Sequence, residues 1–486
     1  MFNWLKRGVN KLNDLINKPE EKTSENMTYL EYLVNNFKTS KERENQIIGE
    51  EYYKGNHDIL NRKKYMILKD GTKKELLNTP NNKRVDNQYA IAVDKKKNYM
   101  LGKAPTIKSD NEKFDNLIEP IFNHRFMKSL KNILKSSLNC GIAYVYIYID
   151  SNSQIKFKLF KSYEIYPVWK DEEHNELNFV IRLYAIPEFI AGKEVINEYA
   201  EVYDKDKVTR YKVNGKSLLK LEELNYLVDS EGKAYNWNDR VPIVAFKYND
   251  DEIPLINKIK SLQDAINEIL SDYNNNMQQD ARNTILVITN YDGANLEDFR
   301  ENLATAGAVK VQSDGGVDTL SIEVNSDNYK SILDILKKAL IENAKSFDAK
   351  DERLGGNPNQ MNIQSMYSDI DLDSNDIEAE FKASFEQMTD FVKMFLEATT
   401  DYTATDKDKI DIIFNKDVLI NESQVITDIQ ASTGLLSTRT LLENHPYIDD
   451  PAEEEKRLKQ EQENNKPKKI EDNFSIGGDN NAEEEN

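Results

Sequence analysis

The residues that come nearest to a chemical constellation are Asp369, Asp371 and Asp373, with Glu380 eleven positions after the first. That spacing mimics the ligand positions of a calcium loop, and a carboxylate cluster is also what a magnesium-dependent nuclease uses. The loop fails at its sixth position, where Ser374 replaces the glycine that permits the sharp turn, and at its eighth, where Asp376 replaces an apolar residue. The favoured reading is of acidic residues at or near a helix start, where they complement the dipole. No metal site is expected.

A second pattern is the stripe Tyr144, Tyr146 and Tyr148. Such a stripe stacks bases in single-stranded nucleic-acid grooves, but those grooves are flanked by dense Lys and Arg, whereas this one runs into Asp150. Packing is the favoured role. The four histidines, His57, His124, His174 and His445, have no zinc spacing, and Cys140 is the only cysteine. A phosphate-cradling Gly-x-x-x-x-Gly-Lys-Ser/Thr loop and a Gly-x-Ser-x-Gly nucleophile elbow are both missing. No catalytic residue is assigned and no cofactor is expected.

The elements that hold these residues belong to a chain of 486 residues, enough for about three domains. Its hydrophobic share of 39% and charged share of 31% describe a folded chain with a polar surface. A single cysteine excludes an intrachain disulfide and fits a reducing compartment. The formal charge of −20 argues against a protein that grips nucleic acid by neutralising phosphates. No apolar run is long enough to span a bilayer, and the N-terminus lacks a signal-peptide stretch, so a soluble, cytosolic protein is expected. Phe2, Leu5, Val9, Leu12 and Ile16 recur at helical spacing beside Lys6, Arg7 and Lys11. That pattern favours a short docking helix over the alternative, a membrane-surface anchor.

Apolar periodicity predicts helices over 29–54, 85–101 and 122–138, with Gly55 and Gly102 as stops. A polar hairpin is expected around Lys69, Asp70 and Gly71. After Gly141 the period becomes two, and strands near 144–149, 155–160, 177–184, 196–203, 208–213 and 241–248 read as an antiparallel meander. A long helix follows from 253 to 281. Next come a mixed segment with an apolar run at 285–288, a helix near 296–303 and strands near 309–311 and 320–324. A second helix covers 327–347. The stretch 348–363, with Gly355, Gly356, Asn357, Pro358 and Asn359, reads as a mobile loop. Another long helix, a strand at 410–414 and a helical C-terminal region complete an α+β chain. The tail from 465 to 486 has the composition of disorder.

Several blocks resemble phage portal proteins of the SPP1 type. The first is Tyr52, Tyr53, Gly55, His57 and Ile59. The second is Lys83, Arg84, Val85, Asn87, Tyr89, Ile91, Val93, Asp94, Tyr99, Leu101, Gly102 and Pro105. Gly141, Ala143, Tyr144, Tyr146 and Asp150, then Tyr163, Glu164, Ile165, Pro167 and Val168, are similar to a third, and Val241, Pro242, Ile243 and Phe246 to a fourth. Gly434, Leu436, Ser437, Pro446 and Glu453 to Glu455 resemble the C-terminal block. The order and spacing of the blocks over 29–463 carry the resemblance. Asn249, single where the family commonly shows a pair, and Ala104, before Pro105, depart from it.

The resemblance implies a non-enzymatic ring of about twelve subunits at one capsid vertex of a virion, assembled in the host cytoplasm. Double-stranded DNA passes through it, and it docks the terminase large subunit, head-completion or connector proteins, and the major capsid or scaffolding protein, with no membrane partner. Its parts would be a wing (1–252), stem helices (253–281 and 327–347), a small mixed clip (282–326), a tunnel loop (348–363), a long wing helix and strand (364–420), a helical crown (421–464) and the tail. Arg353, Gly355, Gly356, Asn357, Pro358 and Asn359 would form the tunnel loop. Asp264, Glu268 and Asp272 on the first stem helix are candidates for a repelling tunnel lining, with a solvated helix face the equal alternative. A carboxylate nuclease using Asp369, Asp371 and Asp373 is the rival reading. An adaptor of a headless, tail-like particle is a third.

Overall fold

The computed structural model describes residues 27–76, 79–190, 192–228, 231–280, 285–291, 311–320, 326–348, 360–405, 408–416, 422–448 and 451–464. These fall into two compact units, one of 1–348 with 367–418 and one of 349–366 with 419–486. The predicted helices at 2–16 and 296–303, the residues of the loop from 349 to 359 and the tail from 465 lie outside the described residues.

Helix α1 (Tyr29–Lys38) and helix α2 (Lys41–Tyr53) occupy the stretch predicted as one helix. The break follows from capping: Ser40 accepts a hydrogen bond from the Arg43 N–H and starts a second helix. Gly55, at φ +90°, ends it. The hairpin β1 (Tyr65–Ile67) and β2 (Lys73–Glu75) turns at Gly71 as expected. Then come α3 (Gln88–Leu101), β3 (Thr106–Lys108), α4 (Glu112–Ile118) and α5 (His124–Cys140).

The strands that follow are β4 (Ile142–Ile149), β5 (Ile155–Phe160), β6 (Ile165–Trp169), β7 (Leu177–Ile190), β8 (Lys193–Tyr203), β9 (Lys207–Asn214) and β10 (Ser217–Asn225). The short pair β11 (Leu227–Val228) and β12 (Ala234–Tyr235) precedes β13 (Ile243–Lys247). The single predicted meander is in fact two sheets: an antiparallel five-stranded sheet ordered β10-β9-β8-β7-β6, and a three-stranded sheet ordered β13-β4-β5. The separation is physical. Ile142, Tyr144, Phe160 and Ile243 of the small sheet pack face to face on Val180, Tyr203 and Val208 of the large one. The other face of the large sheet, through Phe179, Ile181, Leu183, Ala200 and Leu218, is covered by Leu33, Val34 and Phe37 of α1.

Helix α6 (Ile256–Asp280) leads into β14 (Ile285–Tyr291), which pairs antiparallel with β15 (Val311–Leu320). Strand β15 occupies the stretch between the two expected strands and meets each only at 311 and 320; 309–310 and 321–324 lie outside the described residues. Helix α7 (Ser326–Asn343) returns beside α6. Helix α8 (Gln360–Thr399) begins before the predicted end of the loop, so 360–363 are helical; its residues 360–366 belong to the second unit. Strand β16 (Asp411–Ile413) pairs with β3. In the second unit, α9 (Glu422–Ser432) is followed by Gly434 at φ +89°, and α10 (Thr438–Glu443) packs on α11 (Pro451–Asn464).

Candidate functional site

Helix α6 carries a row of polar residues at every fourth position, Gln263, Asn267, Ser271 and Asn275, none more than 1% exposed. Such a row reads as a solvated face in a sequence. Here each side chain accepts a backbone N–H, three of them from the irregular segment ahead of α3 and one from its first turn. Asn275 takes Asn82 (2.7 Å), Ser271 takes Arg84 (2.9 Å), Asn267 takes Asp86 (2.9 Å) and Gln263 takes Tyr89 (2.9 Å). The geometry explains the match: four helical residues rise about 6 Å, and two extended residues cover about 6.6 Å. A helix face therefore replaces the strand that would otherwise satisfy alternate N–H groups of 82–86.

The row also fixes His57. The Asp86 N–H can only donate, so Oδ1 of Asn267 faces it and Nδ2 faces Nδ1 of His57 at 2.7 Å. Nδ1 then accepts, and Nε2 carries the proton it donates to the Tyr52 carbonyl at 3.0 Å. Burial holds the His57 pKa below its ordinary value, and the Tyr52 ring stacks on it at 4.3 Å. Asn87, the N-cap of α3, donates to the same Tyr52 carbonyl at 2.9 Å. In the sequence the signal for this network is the four-residue spacing of amides and a hydroxyl along α6.

The acidic triplet does not gather. It lies inside α8 and not at a helix start, so successive positions point to different sides. Asp373 is buried and takes the ammonium of Lys96 at 2.5 Å, with the Tyr248 hydroxyl at 3.3 Å and Lys345 at 3.4 Å. Asp371 accepts from the Tyr99 hydroxyl at 2.8 Å and pairs with Lys416 at 3.2 Å. Asp369 is exposed. Among the described residues no group of three or more His, Cys, Asp or Glu side chains could hold a metal ion. Asp369 stands apart on the exposed side, so the three carboxylates do not form the cluster on which the nuclease reading rested; Asp371 and Asp373 are committed to the protein's own cations.

Instead they anchor the root of the predicted loop. Lys96 also donates to the Lys345 carbonyl (3.0 Å), and Lys95 donates to the Phe347 carbonyl (2.7 Å), so two ammonium groups of α3 hold the chain just past the end of α7. Burial lowers the Lys96 pKa, while Asp373 opposes that shift. The Phe347 and Tyr367 rings meet at 4.7 Å, and Tyr367 stacks on Tyr99 at 5.7 Å. The chain leaves at Phe347 and returns at Tyr367, and both points are fixed on α3.

Of the candidate lining residues, Asp264 accepts from the Tyr52 hydroxyl (2.6 Å) and Lys260 (2.7 Å), and Asp272 pairs with Arg62 (3.0 Å). Glu268 is exposed. Tyr144 is buried in the core between the sheets, and burial raises its pKa; Tyr146 stacks on Phe160 at 5.5 Å. The tyrosine stripe is packing. No helix among the described residues is long and apolar enough to cross a membrane.

The class of protein is set by a helix pair, α6 and α7, with the β14–β15 strand pair between them in the chain, carried on an α+β body. The chain matches the family described as phage portal protein, SPP1 Gp6-like, over residues 31–468, and it belongs to that family. It is 27% identical over 453 residues to the portal protein of Bacillus phage SPP1, covering 90% of this chain and 87% of that one. It is 26% identical over 449 residues to the portal protein of Clostridium phage phiCD119, covering 89% and 96%.

Proposed function

We propose that the chain is the subunit of a ring, of about twelve copies, at one vertex of a phage capsid, through which double-stranded DNA is packaged and ejected. The family match over 31–468 carries this reading. Helices α6 and α7 are its stem: they lie side by side, with the Tyr273 and Tyr329 rings 5.0 Å apart and Asn276 donating to the Tyr329 hydroxyl at 2.8 Å. Ile332 and Ile335 on α7 are 48% and 65% exposed, an apolar stripe that a neighbouring copy would cover.

The β14–β15 hairpin, within 282–326, is the clip that meets the terminase large subunit and later the head-completion or connector proteins. Residues 348–363, with Arg353, Gly355, Gly356, Asn357, Pro358 and Asn359, form the tunnel loop. Residues 1–252 and 364–420 form the wing, toward the capsid or scaffolding protein; 421–464 form the crown and 465–486 a tail. Assembly takes place in the host cytoplasm, and force comes from a separate motor. Electron micrographs of the purified full-length chain test the reading: rings with a central opening are expected, and a stable monomer at micromolar concentration would refute it.

A further inference from the structure

The hairpin β1–β2 is open on both faces. Every residue of both strands is exposed, and a lone two-stranded ribbon is marginal in water. Tyr65, Met66, Ile67 and Leu68 nevertheless form an unbroken apolar run. Cross-strand partners share a face, so Tyr65 and Ile67, 51% and 70% exposed, lie on one side with their partners Glu75 and Lys73. Charge also sets the hairpin apart. Residues 62–76 hold six cations, Arg62, Lys63, Lys64, Lys69, Lys73 and Lys74, and two acids, Asp70 and Glu75. Their net charge of +4, on a chain of −20, leaves −24 on the rest.

The root of the hairpin sits at a defined height on α6. Arg62 pairs with Asp272 at 3.0 Å and donates to the Asn82 carbonyl at 3.1 Å, and the Asn82 N–H is held by Asn275. Along α6, Asp272 lies between Tyr273, which meets Tyr329, and Asn267, which holds Asp86, the partner of Lys337 at 2.8 Å. Ile332 and Ile335 lie between Tyr329 and Lys337 on the returning α7, so the two open apolar patches are level. They are not together. Asp272 and Tyr273 are about 100° apart on α6, so the hairpin root and α7 leave it on different sides. Ile332 and Ile335 stay exposed with the chain's own hairpin in place. A rotation about an axis along the stem, without any rise, brings one patch of a chain onto the other patch of its neighbour, and a head-to-tail contact of that kind closes a ring.

We propose that the β1–β2 hairpin of one subunit docks on α7 of the next, with Tyr65 and Ile67 on Ile332 and Ile335 and Lys73 beside Asp334. The contact rests on the ring reading and supplies the partner of its open stem face. Spacing fits: Tyr65 and Ile67 lie about 6.6 Å apart along their strand, and residues three apart on a helix have Cβ atoms about 5–6 Å apart. Charge fits as well, since Asp334 is exposed between the two isoleucines and Lys73 lies directly across from Ile67. A cationic hairpin on an acidic chain is complementary to a second copy of that chain.

Crosslinking of the full-length protein tests this. With Cys140 buried, rings carrying Ile67→Cys and Ile335→Cys should react with a short bismaleimide to give a ladder of linked chains on a denaturing gel, and neither single variant should. Lys73→Asp should lower the fraction of chain in rings at a fixed concentration, and adding Asp334→Lys should restore it. Rings that give no links between chains, or links only within a chain, would overturn the contact and leave the ring reading standing. Absence of rings from the unaltered chain would overturn both. A loss in Lys73→Asp that Asp334→Lys fails to restore would also overturn the contact. So would maleimide labelling of Ile67→Cys that ring assembly leaves unchanged and linear double-stranded DNA blocks, which would give the hairpin to nucleic acid.

Discussion

At the scale of single residues, the structure turns apparent chemistry into anchoring. Asp373 and Lys96 form a buried pair, and removing one partner leaves the other uncompensated in a low-dielectric site, which costs about 3–5 kcal/mol. Lys96→Met should therefore lower the urea midpoint strongly, and adding Asp373→Leu should recover much of the loss. An additive double variant would show that the two residues act separately. His57 gives a pH signature. Burial depresses its pKa in the folded state, so below the unfolded value of 6.5 the unfolded chain takes up a proton that the folded chain refuses. Stability is then unaffected by this group above that pH and falls as the pH drops from about 6.5 toward 5. His57→Gln removes the titrating group, so urea titrations at both ends of that window should show a smaller pH dependence than in the unaltered protein.

At the scale of elements, close approach is as decisive as pairing. Gly49 of α2 lies against α5 so tightly that a Cβ would sit 1.9 Å from the Asn139 carbonyl oxygen. Gly49→Ala must push the helices apart, a loss of about 1–3 kcal/mol or more, readable as a lower thermal midpoint. The same α2–α5 seam shows what a sequence reveals. Apolar periodicity located both helices, because burial of one face writes itself into the spacing. It missed the break at Thr39 and Ser40, since a cap is a single residue inside a continuing pattern. Strands β3 and β16, three residues each, carry too little pattern to read from both sides; β16 was legible from Ile410, Ile412 and Phe414, and its partner was not. The polar row on α6 was unreadable for a deeper reason. Gln263, Asn267, Ser271 and Asn275 look like a wet face unless the segment 82–89 is known to lie against them. Likewise the acidic residues of α8 masked its start, although Ile363 and Met366 already keep helical spacing with Ile370.

At the scale of the whole molecule, a formal charge of −20 on each chain suits a conduit that must let DNA slide, because strong phosphate neutralisation would hold it. The three carboxylates proposed to line the tunnel are not equivalent. Asp264 and Asp272 are tied to Tyr52, Lys260 and Arg62 of their own subunit, so changing them disturbs the fold before it changes any tunnel field. Glu268 is exposed and can be changed cleanly. Glu268→Lys alters each subunit by two charges, and around a ring those changes fall at one height of the stem. If that height faces the tunnel, the variant ring should retain linear double-stranded DNA at low salt, whereas the unaltered ring should not. Retention should fall linearly on a log–log plot against salt concentration. Covalently closed circular DNA cannot thread a closed ring and should not be retained. Equal binding of linear and circular DNA would put Glu268 on the outside, and no binding of either would remove it from the lining, while rings in the same preparation would keep the portal reading intact.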